Sequence, residues 1–196
     1  MATNVQHASH EPRIAPLEPP FEGELGALLA KMTPPGAPDV LALFRTLAKN
    51  PKLAERMMAM GGHFLGKGAS LPLRDREIVI ARSCARCGAE YEWGVHVTGF
   101  AKIAKLTDAE VRATVHWPPD PDAWAPHEAA LIAMVDALHE TSTIDDAVWA
   151  ELARHYDEAQ LIELVMLVGW YHAISFVCNA LRVPLESWQA RLPKAL

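Results

Sequence analysis

Apolar residues recur at every third or fourth position along most of the chain, which is the spacing of one face of an α-helix. No segment shows the strict alternation typical of a half-buried strand, and no Asn-Gly pair joins two such segments. The pattern predicts a short helix after residue 107 and helices over residues 21–32, 40–49, 51–65, 72–88, 90–105, 127–140, 145–156 and 157–181. The sequence therefore predicts an all-α fold.

Residues that commonly cap helices stand at several of the predicted starts. Asp39 is placed to cap the second helix, because its side chain accepts hydrogen bonds from the free backbone N–H groups of a first turn. Thr107 with Glu110, and Thr143 with Asp146, have the spacing of capping boxes. These residues indicate where three of the helices begin.

The first twenty residues differ from the rest of the chain. They contain Pro12, Pro16, Pro19 and Pro20 and show no helical periodicity. We expect residues 1–20 to form an extended arm that lies against a neighbouring subunit. The length of 196 residues suits one domain, and we expect residues 21–196 to form it.

Charge and cysteine content narrow the classes of function. The 24 acidic residues outnumber the 18 basic ones, whereas a protein that neutralises nucleic-acid phosphates normally shows the opposite balance. Three cysteines are too few for a disulfide scaffold, and the first twenty residues lack the pattern of a secretory signal. We expect a cytoplasmic protein that acts on a small molecule and does not bind nucleic acid.

Residues 164–181 form an uncharged, mostly apolar run whose length touches the threshold for a membrane span. It also contains His172, Ser175 and Asn179, whose polar groups are costly to place in lipid. We therefore interpret the run as a central buried helix and expect no membrane partner. Since the run is apolar on nearly every side, we also expect the chain to form a homo-oligomer.

Candidate chemistry is concentrated in two consecutive helices. On a helical projection, the lone carboxylate of Glu77 lies in an apolar stripe, while Arg82 and Arg86 lie on the other side. In the next helix His96 shares a face with Glu92, four residues earlier. If the helices form a hairpin, Glu77 and His96 face each other across an apolar cleft, an arrangement suited to proton transfer. A purely structural Glu–His pair that pins the helices together remains the alternative.

These residues lie in recognisable motifs. The segments Leu71-Pro-Leu-Arg-Asp-Arg-Glu77-Ile-Val-Ile and Gly88-Ala-Glu-Tyr-Glu-Trp-Gly-Val-His96 resemble the carboxymuconolactone decarboxylase family, within the alkylhydroperoxidase D-like superfamily. Later stretches, Leu138-His-Glu-Thr and Gly169-Trp-Tyr-His-Ala-Ile, are similar to longer members. The resemblance covers roughly residues 40–185 and implies a helical bundle of the alkylhydroperoxidase D-like type, assembled as a dimer, trimer or hexamer.

The resemblance also assigns roles residue by residue. Glu77 and His96 occupy the superfamily's Glu and His positions, whereas the two positions of its peroxidatic Cys-x-x-Cys pair fall on Ala89 and Glu92. The chain is thus similar to the branch without those cysteines, which is decarboxylase-like. Cys84-Ala-Arg-Cys87 is a Cys-x-x-Cys pair displaced by five residues from the superfamily's position.

The resemblance implies a cofactor-free lyase or isomerase that acts on a small, carboxylate-bearing substrate. Glu77 and His96 would shuttle protons, and Glu92 would orient His96. Tyr91 or Trp93 would shape the pocket. The substrate carboxylate would bind one of three arginines: Arg74, Arg76 or Arg82. The family's decarboxylase acts on a lactone from the catabolism of aromatic compounds.

Two other functions remain open at this stage. One is a thiol-dependent hydroperoxide reductase that uses Cys84 and Cys87, although Cys84 and Cys87 lie at the end of their helix, where the dipole disfavours a thiolate. The other is a non-catalytic oligomeric protein that binds a small molecule. The short spacing of a metal site is missing among His63, His96, His127 and His172. His7 and His10 stand three residues apart in the N-terminal arm, which is a weak indication, and we expect no catalytic metal.

Overall fold

The computed structural model describes residues 11–33, 37 and 39–193, and these form nine α-helices and one 3₁₀ turn at Pro121–Ala123. No strand occurs among these residues, and the predicted all-α class is confirmed. The helices are α1 (Gly23–Met32), α2 (Ala42–Leu47), α3 (Pro51–Leu65), α4 (Leu73–Arg86), α5 (Glu90–Phe100), α6 (Asp108–Ala113), α7 (Pro126–Thr141), α8 (Asp146–Leu152) and α9 (Glu158–Leu181).

Helix α4 lies at the centre and packs against α5, α7 and α9. Its residues 75–84 are all buried, so that the helix has no solvent face over nearly three turns. The main core lies where α4 meets α7 and α9, around Ile80, Leu131 and Leu164. A smaller apolar cluster joins α2 and α5 to the second half of α9, around Leu43 and Ile174.

The ends of several helices follow the predicted caps and others differ. Thr107 and Glu110 form the predicted capping box of α6. The prediction at α8 was wrong, since the Asp145 side chain, rather than Thr143, accepts the hydrogen bond from the Val148 N–H at 2.8 Å. Helix α2 begins without a side-chain cap, two residues later than predicted. Asp39 therefore does not cap it.

The described part of the N-terminal arm lies against its own chain. The backbone N–H of Arg13 donates to the Leu181 carbonyl at 2.9 Å, at the end of α9. Arg45 of α2 donates to the Leu17 carbonyl at 2.9 Å and pairs with Glu18 at 3.0 Å. Residues 11–20 thus cross from α9 to α2. Residues 1–10 of the predicted arm lie outside the described residues.

A buried ion pair joins α4 to α7. The Arg82 side chain is fully buried and donates two hydrogen bonds to Asp136, each 2.8 Å long. Its remaining nitrogen donates to the carbonyls of Thr114 and His116. The projection had placed Arg82 on the side away from the apolar stripe, but no side of α4 faces solvent there. Arg82 is thus a structural cation with an acceptor at each of its three nitrogens.

The Asp136→Ala variant is expected to lose about 3–5 kcal/mol of unfolding free energy, because it leaves the Arg82 guanidinium buried without its counter-charge. The matched control is Glu151→Ala, which removes the partner of the exposed Arg154 and is expected to cost less than about 1 kcal/mol. Urea unfolding of both variants measures the difference. Equal losses would contradict the structural role of the Arg82–Asp136 pair.

Helix α9 is long and apolar enough to cross a membrane by length and composition, and half of its most apolar window is buried inside the protein. Its outer face carries an apolar stripe with alternating spacings of three and four residues. Ile162 and Phe176 in this stripe are 66% and 62% exposed, and the small residues Gly169 and Ala173 lie between them. This spacing matches the seam of two packed helices. We propose that a second copy of the chain covers the stripe.

The Phe176→Glu variant is therefore expected to reduce the mass of the assembly, because a two-fold axis would bring the added charge against an apolar partner surface. Sedimentation at micromolar concentration measures the mass, with Trp149→Glu as a control at another exposed aromatic residue. A mass near 21.5 kDa for the parent chain would show that the proposal is wrong.

Candidate active site

The turn between α4 and α5 sets the geometry of the site. Gly88 has φ of 60°, in the left-handed region that glycine adopts at little cost. The next N–H, that of Ala89, donates to the Cys84 carbonyl at 2.9 Å and closes the end of α4. The chain then reverses into α5, which packs back along α4 and brings His96 to Glu77.

The predicted contact between Glu77 and His96 is present. His96 Nδ1 lies 2.8 Å from Glu77 Oε2, and both side chains are buried. His96 Nε2 lies 3.0 Å from the Tyr171 hydroxyl of α9 and 3.5 Å from Glu92 Oε1. Phe100 stacks on the imidazole ring with centroids 5.2 Å apart. The imidazole is thus held on both nitrogens and on one face.

A second cation completes the charge balance. Arg76 Nε lies 3.3 Å from Glu77 Oε1, and Arg76 Nη1 donates to the Phe64 carbonyl at 2.9 Å. With His96 protonated, Arg76 and His96 supply two positive charges against the two carboxylates of Glu77 and Glu92. Buried charges are tolerated when they are paired in this way.

The surroundings favour a protonated His96. Burial opposes the imidazolium, but the charges and hydrogen bonds of Glu77 and Glu92 outweigh it and raise the pKa of His96 to about 9. Burial also raises the pKa of Tyr171 well above its usual range, and the nearby Glu92 and Glu77 add to this shift. At neutral pH the site thus holds an imidazolium beside a neutral phenol.

A narrow recess adjoins the pair. Together with the open solvent at its mouth it comprises about 160 Å³ of empty space, and it is lined by Glu77, Ala81, His96, Val97, Ala101 and Leu106. The free space is too constricted to hold a water molecule. Its outer wall includes Ala101 and Leu106, at the two ends of the turns that follow α5. The recess in this conformation therefore has no room for a small organic molecule.

The predicted pocket-shaping residues lie elsewhere. The Tyr91 hydroxyl donates to Glu186 at 2.6 Å and accepts from the Leu43 N–H at 3.1 Å, in the smaller apolar cluster. Trp93 lies in the main core and donates to the Thr114 hydroxyl at 3.1 Å. Neither residue lines the recess. Hydrogen bonds from these two side chains instead tether α5 to other parts of the chain.

Arg74 is also placed away from the recess. Its guanidinium pairs with Glu128 at 2.6 Å and with Glu110, and it donates to the Lys105 carbonyl at 2.7 Å. These contacts tie α4 to α6 and α7. Arg82 is occupied by Asp136, as described above. Of the three arginines considered for a substrate carboxylate, Arg76 is the one that contacts Glu77.

Tyr171 is the site residue that sequence reasoning missed. It lies 75 positions after His96 and on a helix whose apolar character indicates core packing. The Gly169-Trp-Tyr-His motif drew attention instead to His172. The sequence did contain one indication of its role: a tyrosine in an apolar helix is buried, and a buried tyrosine hydroxyl normally requires a hydrogen-bond partner.

The cysteines do not reach the Glu77–His96 pair through a hydrogen bond. Cys84 is fully buried, and burial raises the pKa of its thiol well above the usual range. Cys87 is half-buried, and burial raises its thiol pKa as well. At the positions of the superfamily's cysteines, Ala89 is buried at the start of α5 and Glu92 contacts His96. The Cys-x-x-Cys pair thus lacks the features of an activated thiol.

Comparison with known families and structures adds to this geometry. Residues 51–136 match the sequence model of the carboxymuconolactone decarboxylase family. This segment belongs to that family. The matched residues include Glu77, Glu92 and His96 but end before Tyr171, so that the family segment and α9 together build the site. A comparison with curated proteins gives no match.

Several solved structures share the fold. A cysteine-to-alanine variant of the debrominase Bmp8 in complex with 2,3,4-tribromopyrrole is 20% identical, with a TM-score of 0.72 over 89% of this chain and 91% of that one. A peroxidase-related protein from Ralstonia eutropha JMP134, an alkylhydroperoxidase AhpD core, is 15% identical, with a TM-score of 0.73 over 89% and 93%. A peroxidase-related protein from Silicibacter sp. TM1040 is 14% identical, with a TM-score of 0.69 over 92% and 96%. At these identities the likeness confirms the predicted alkylhydroperoxidase D-like fold.

The Glu77→Gln variant is expected to lower the pKa of His96 by about 1–3 units, because it removes the nearest negative charge from a buried imidazole. Titration of the imidazole nitrogens by NMR measures the shift, and we expect a pKa of about 9 in the parent. Glu186→Gln is the matched control, since that carboxylate contacts Tyr91 instead. An unchanged pKa in Glu77→Gln would contradict the pairing.

The same shift predicts how stability depends on pH. His96 has a folded pKa of about 9 against the ordinary 6.5, so the folded chain keeps a proton that the unfolded chain releases. The resulting stabilisation is fully present below pH 6.5 and is lost as the pH rises through 9. Urea unfolding should show a decline of up to about 1.4 kcal/mol per pH unit in this range, and a weaker decline in Glu77→Gln. Identical slopes in the two proteins would be the contrary result.

Proposed function

We propose that this protein is an acid–base enzyme of the lyase or isomerase type, which needs no cofactor and moves a proton on a small, carboxylate-bearing substrate. One observation supports this most strongly: the buried His96 lies 2.8 Å from Glu77, and both line the same recess. The two neighbouring carboxylates raise the pKa of His96 to about 9, which favours the protonated imidazole. An acid for catalysis must keep its proton at working pH and lie where a substrate can reach it.

The proton that His96 holds could be added to a carbon atom of the substrate. In a decarboxylation the bond to the departing carboxylate breaks, its electron pair enters the conjugated carbonyl system, and a proton must then be added at carbon. His96 holds such a proton, and Glu77 stabilises its charge until transfer. Once neutral, the imidazole keeps a hydrogen bond at each nitrogen, because the Tyr171 hydroxyl can donate to Nε2. The site thus satisfies both protonation states without rearranging.

Substrate charge is matched by cations near the recess. Arg76 is buried beside Glu77 and is the candidate for direct contact with a substrate carboxylate. Lys102 and Lys105 are exposed in the segment that ends at Leu106, on the outer wall. Exposed cations beside a cleft raise the local concentration of an anionic substrate. These three cations favour a small organic acid as the substrate.

The thiol-dependent reductase is the weaker candidate. Its support is the shared fold with peroxidase-related proteins and a debrominase, at identities that carry the fold alone. The burial of Cys84 and the raised pKa values of both thiols oppose thiolate formation. A non-catalytic binding protein would not require a protonated histidine beside the recess.

The Glu77→Gln and His96→Gln variants are each expected to lower kcat by about 10²–10⁴-fold, because each removes one half of the proton relay. The assay follows carbon dioxide release from carboxymuconolactone. In parallel, NMR follows solvent deuterium entering a panel of small unsaturated carboxylates. The control is the Cys84→Ala, Cys87→Ala double variant, which is expected to retain the activity.

Two results would contradict the proposal. One is full activity in His96→Gln. The other is a hydroperoxide reductase activity that is present in the parent and abolished in the double cysteine variant, which would establish the thiol mechanism instead. Deuterium incorporation without carbon dioxide release would support proton transfer and exclude the decarboxylase reaction.

A further inference from the structure

Three soft or borderline ligand groups meet at the C-terminal end of α4. Cys87 follows the last residue of α4, His139 lies in the last turn of α7, and His172 lies in α9. Their Sγ and ring nitrogen atoms all lie within 4.8 Å of one another. His139 Nδ1 is 2.9 Å from His172 Nε2 and 3.9 Å from Cys87 Sγ. This convergence is separate from the chemistry proposed above.

We propose that Cys87, His139 and His172 bind one divalent metal ion of the zinc type, with a fourth position open to solvent. Tetrahedral zinc holds nitrogen and sulfur ligands at about 2.0–2.3 Å, which places pairs of ligand atoms about 3.3–3.7 Å apart. The observed separations of 2.9 Å and 3.9 Å bracket this range. The third separation, between Cys87 Sγ and the His172 ring nitrogen, is within 4.8 Å. Rotations about side-chain torsions that bring these two atoms closer by up to about 1 Å would form the site.

Hydrogen bonds around the three residues prepare them as ligands. His172 Nδ1 lies 2.8 Å from the Val168 carbonyl, which has only lone pairs, so Nδ1 carries the proton and donates it. The lone pair of Nε2 then faces His139 and Cys87, as in metal sites where a second contact fixes the histidine tautomer. The Asn179 amide donates to the Cys87 carbonyl at 2.8 Å and fixes the backbone that carries the thiol.

The bonding change is balanced. Without metal, His139 Nδ1 donates its proton to the lone pair of His172 Nε2. Metal binding replaces that proton, which moves to the other nitrogen of His139. The Cys87 thiol releases its proton to solvent, so one proton leaves for each ion bound. A thiolate and two neutral imidazoles leave the bound ion with a net charge of one.

The neighbouring charges permit a cation to bind at Cys87, His139 and His172. Arg86 is the nearest cation in sequence, and its guanidinium is paired with Asp136 at 3.3 Å and Glu140 at 2.6 Å. Those two carboxylates offset its charge. Cys87, His139 and His172 are each half-buried, so an ion and a water ligand can reach them from solvent. A protein-bound metal with an open position remains able to bind a further ligand.

The test uses cobalt(II) added to the full-length, metal-stripped and reduced protein. The expected result is one equivalent bound, with a thiolate-to-cobalt charge-transfer band and the intense visible bands of four-coordinate cobalt. Zinc should displace the cobalt and abolish both signals. Because the charge-transfer band requires a cysteine ligand, its absence from the folded parent overturns the proposal without any variant.

Variants then assign the ligands. Cys87→Ser should abolish the charge-transfer band, and His139→Gln or His172→Gln should weaken binding by at least about 10–100-fold, the loss typical of even a supporting contact. Cys178→Ser and His127→Gln are matched controls that leave the three ligands intact and should bind as the parent does. A band that persists in Cys87→Ser, or disappears in Cys178→Ser, would overturn the assignment. Circular dichroism of each variant checks that it is folded.

Discussion

The structure depends on how the central helix buries its charges. Asp75, Arg76, Glu77 and Arg82 all lie inside the protein on α4, and burying an unpaired charge costs several kcal/mol. Neighbouring parts of the chain therefore supply partners. Helix α7 brings Asp136 to Arg82, and α5 brings His96 to Glu77. The Tyr156 hydroxyl, which follows α8, donates to Asp75 at 2.8 Å. Apolar packing fills the core, and these pairs determine which helix faces which.

The same constraint produces the candidate chemistry. At Arg82 the pairing is complete, since every nitrogen has an acceptor, and the result is a structural tie. At Glu77 the pairing includes an ionisable imidazole, and the result is a group that holds a proton in an enclosed place. Unlike the partner of Arg82, the partner of Glu77 can release a proton, and a recess adjoins it.

Sequence reasoning was accurate where the determinants are local. The 3.6-residue period identified the helices, and the stripe position of Glu77 with the four-residue spacing of Glu92 and His96 identified the buried pair. It failed where a side chain's role depends on distant elements. The three residues predicted to contact the substrate are on α4 and α5, but their side chains bind other parts of the chain. The partners are Glu186 for Tyr91, Thr114 for Trp93 and Glu128 for Arg74. Tyr171 and the Cys87–His139–His172 cluster join residues from separate helices, and no spacing along one helix indicates them.

The raised pKa of His96, which Glu77 and Glu92 cause, makes the side chain an imidazolium at neutral pH. Neutron diffraction from deuterium-exchanged crystals at pH 7 observes this state directly, because it locates deuterium on each ring nitrogen. We expect deuterium on both Nδ1 and Nε2 of His96 and none on the carboxylate of Glu77. Deuterium on only one ring nitrogen, or on Glu77, would contradict it.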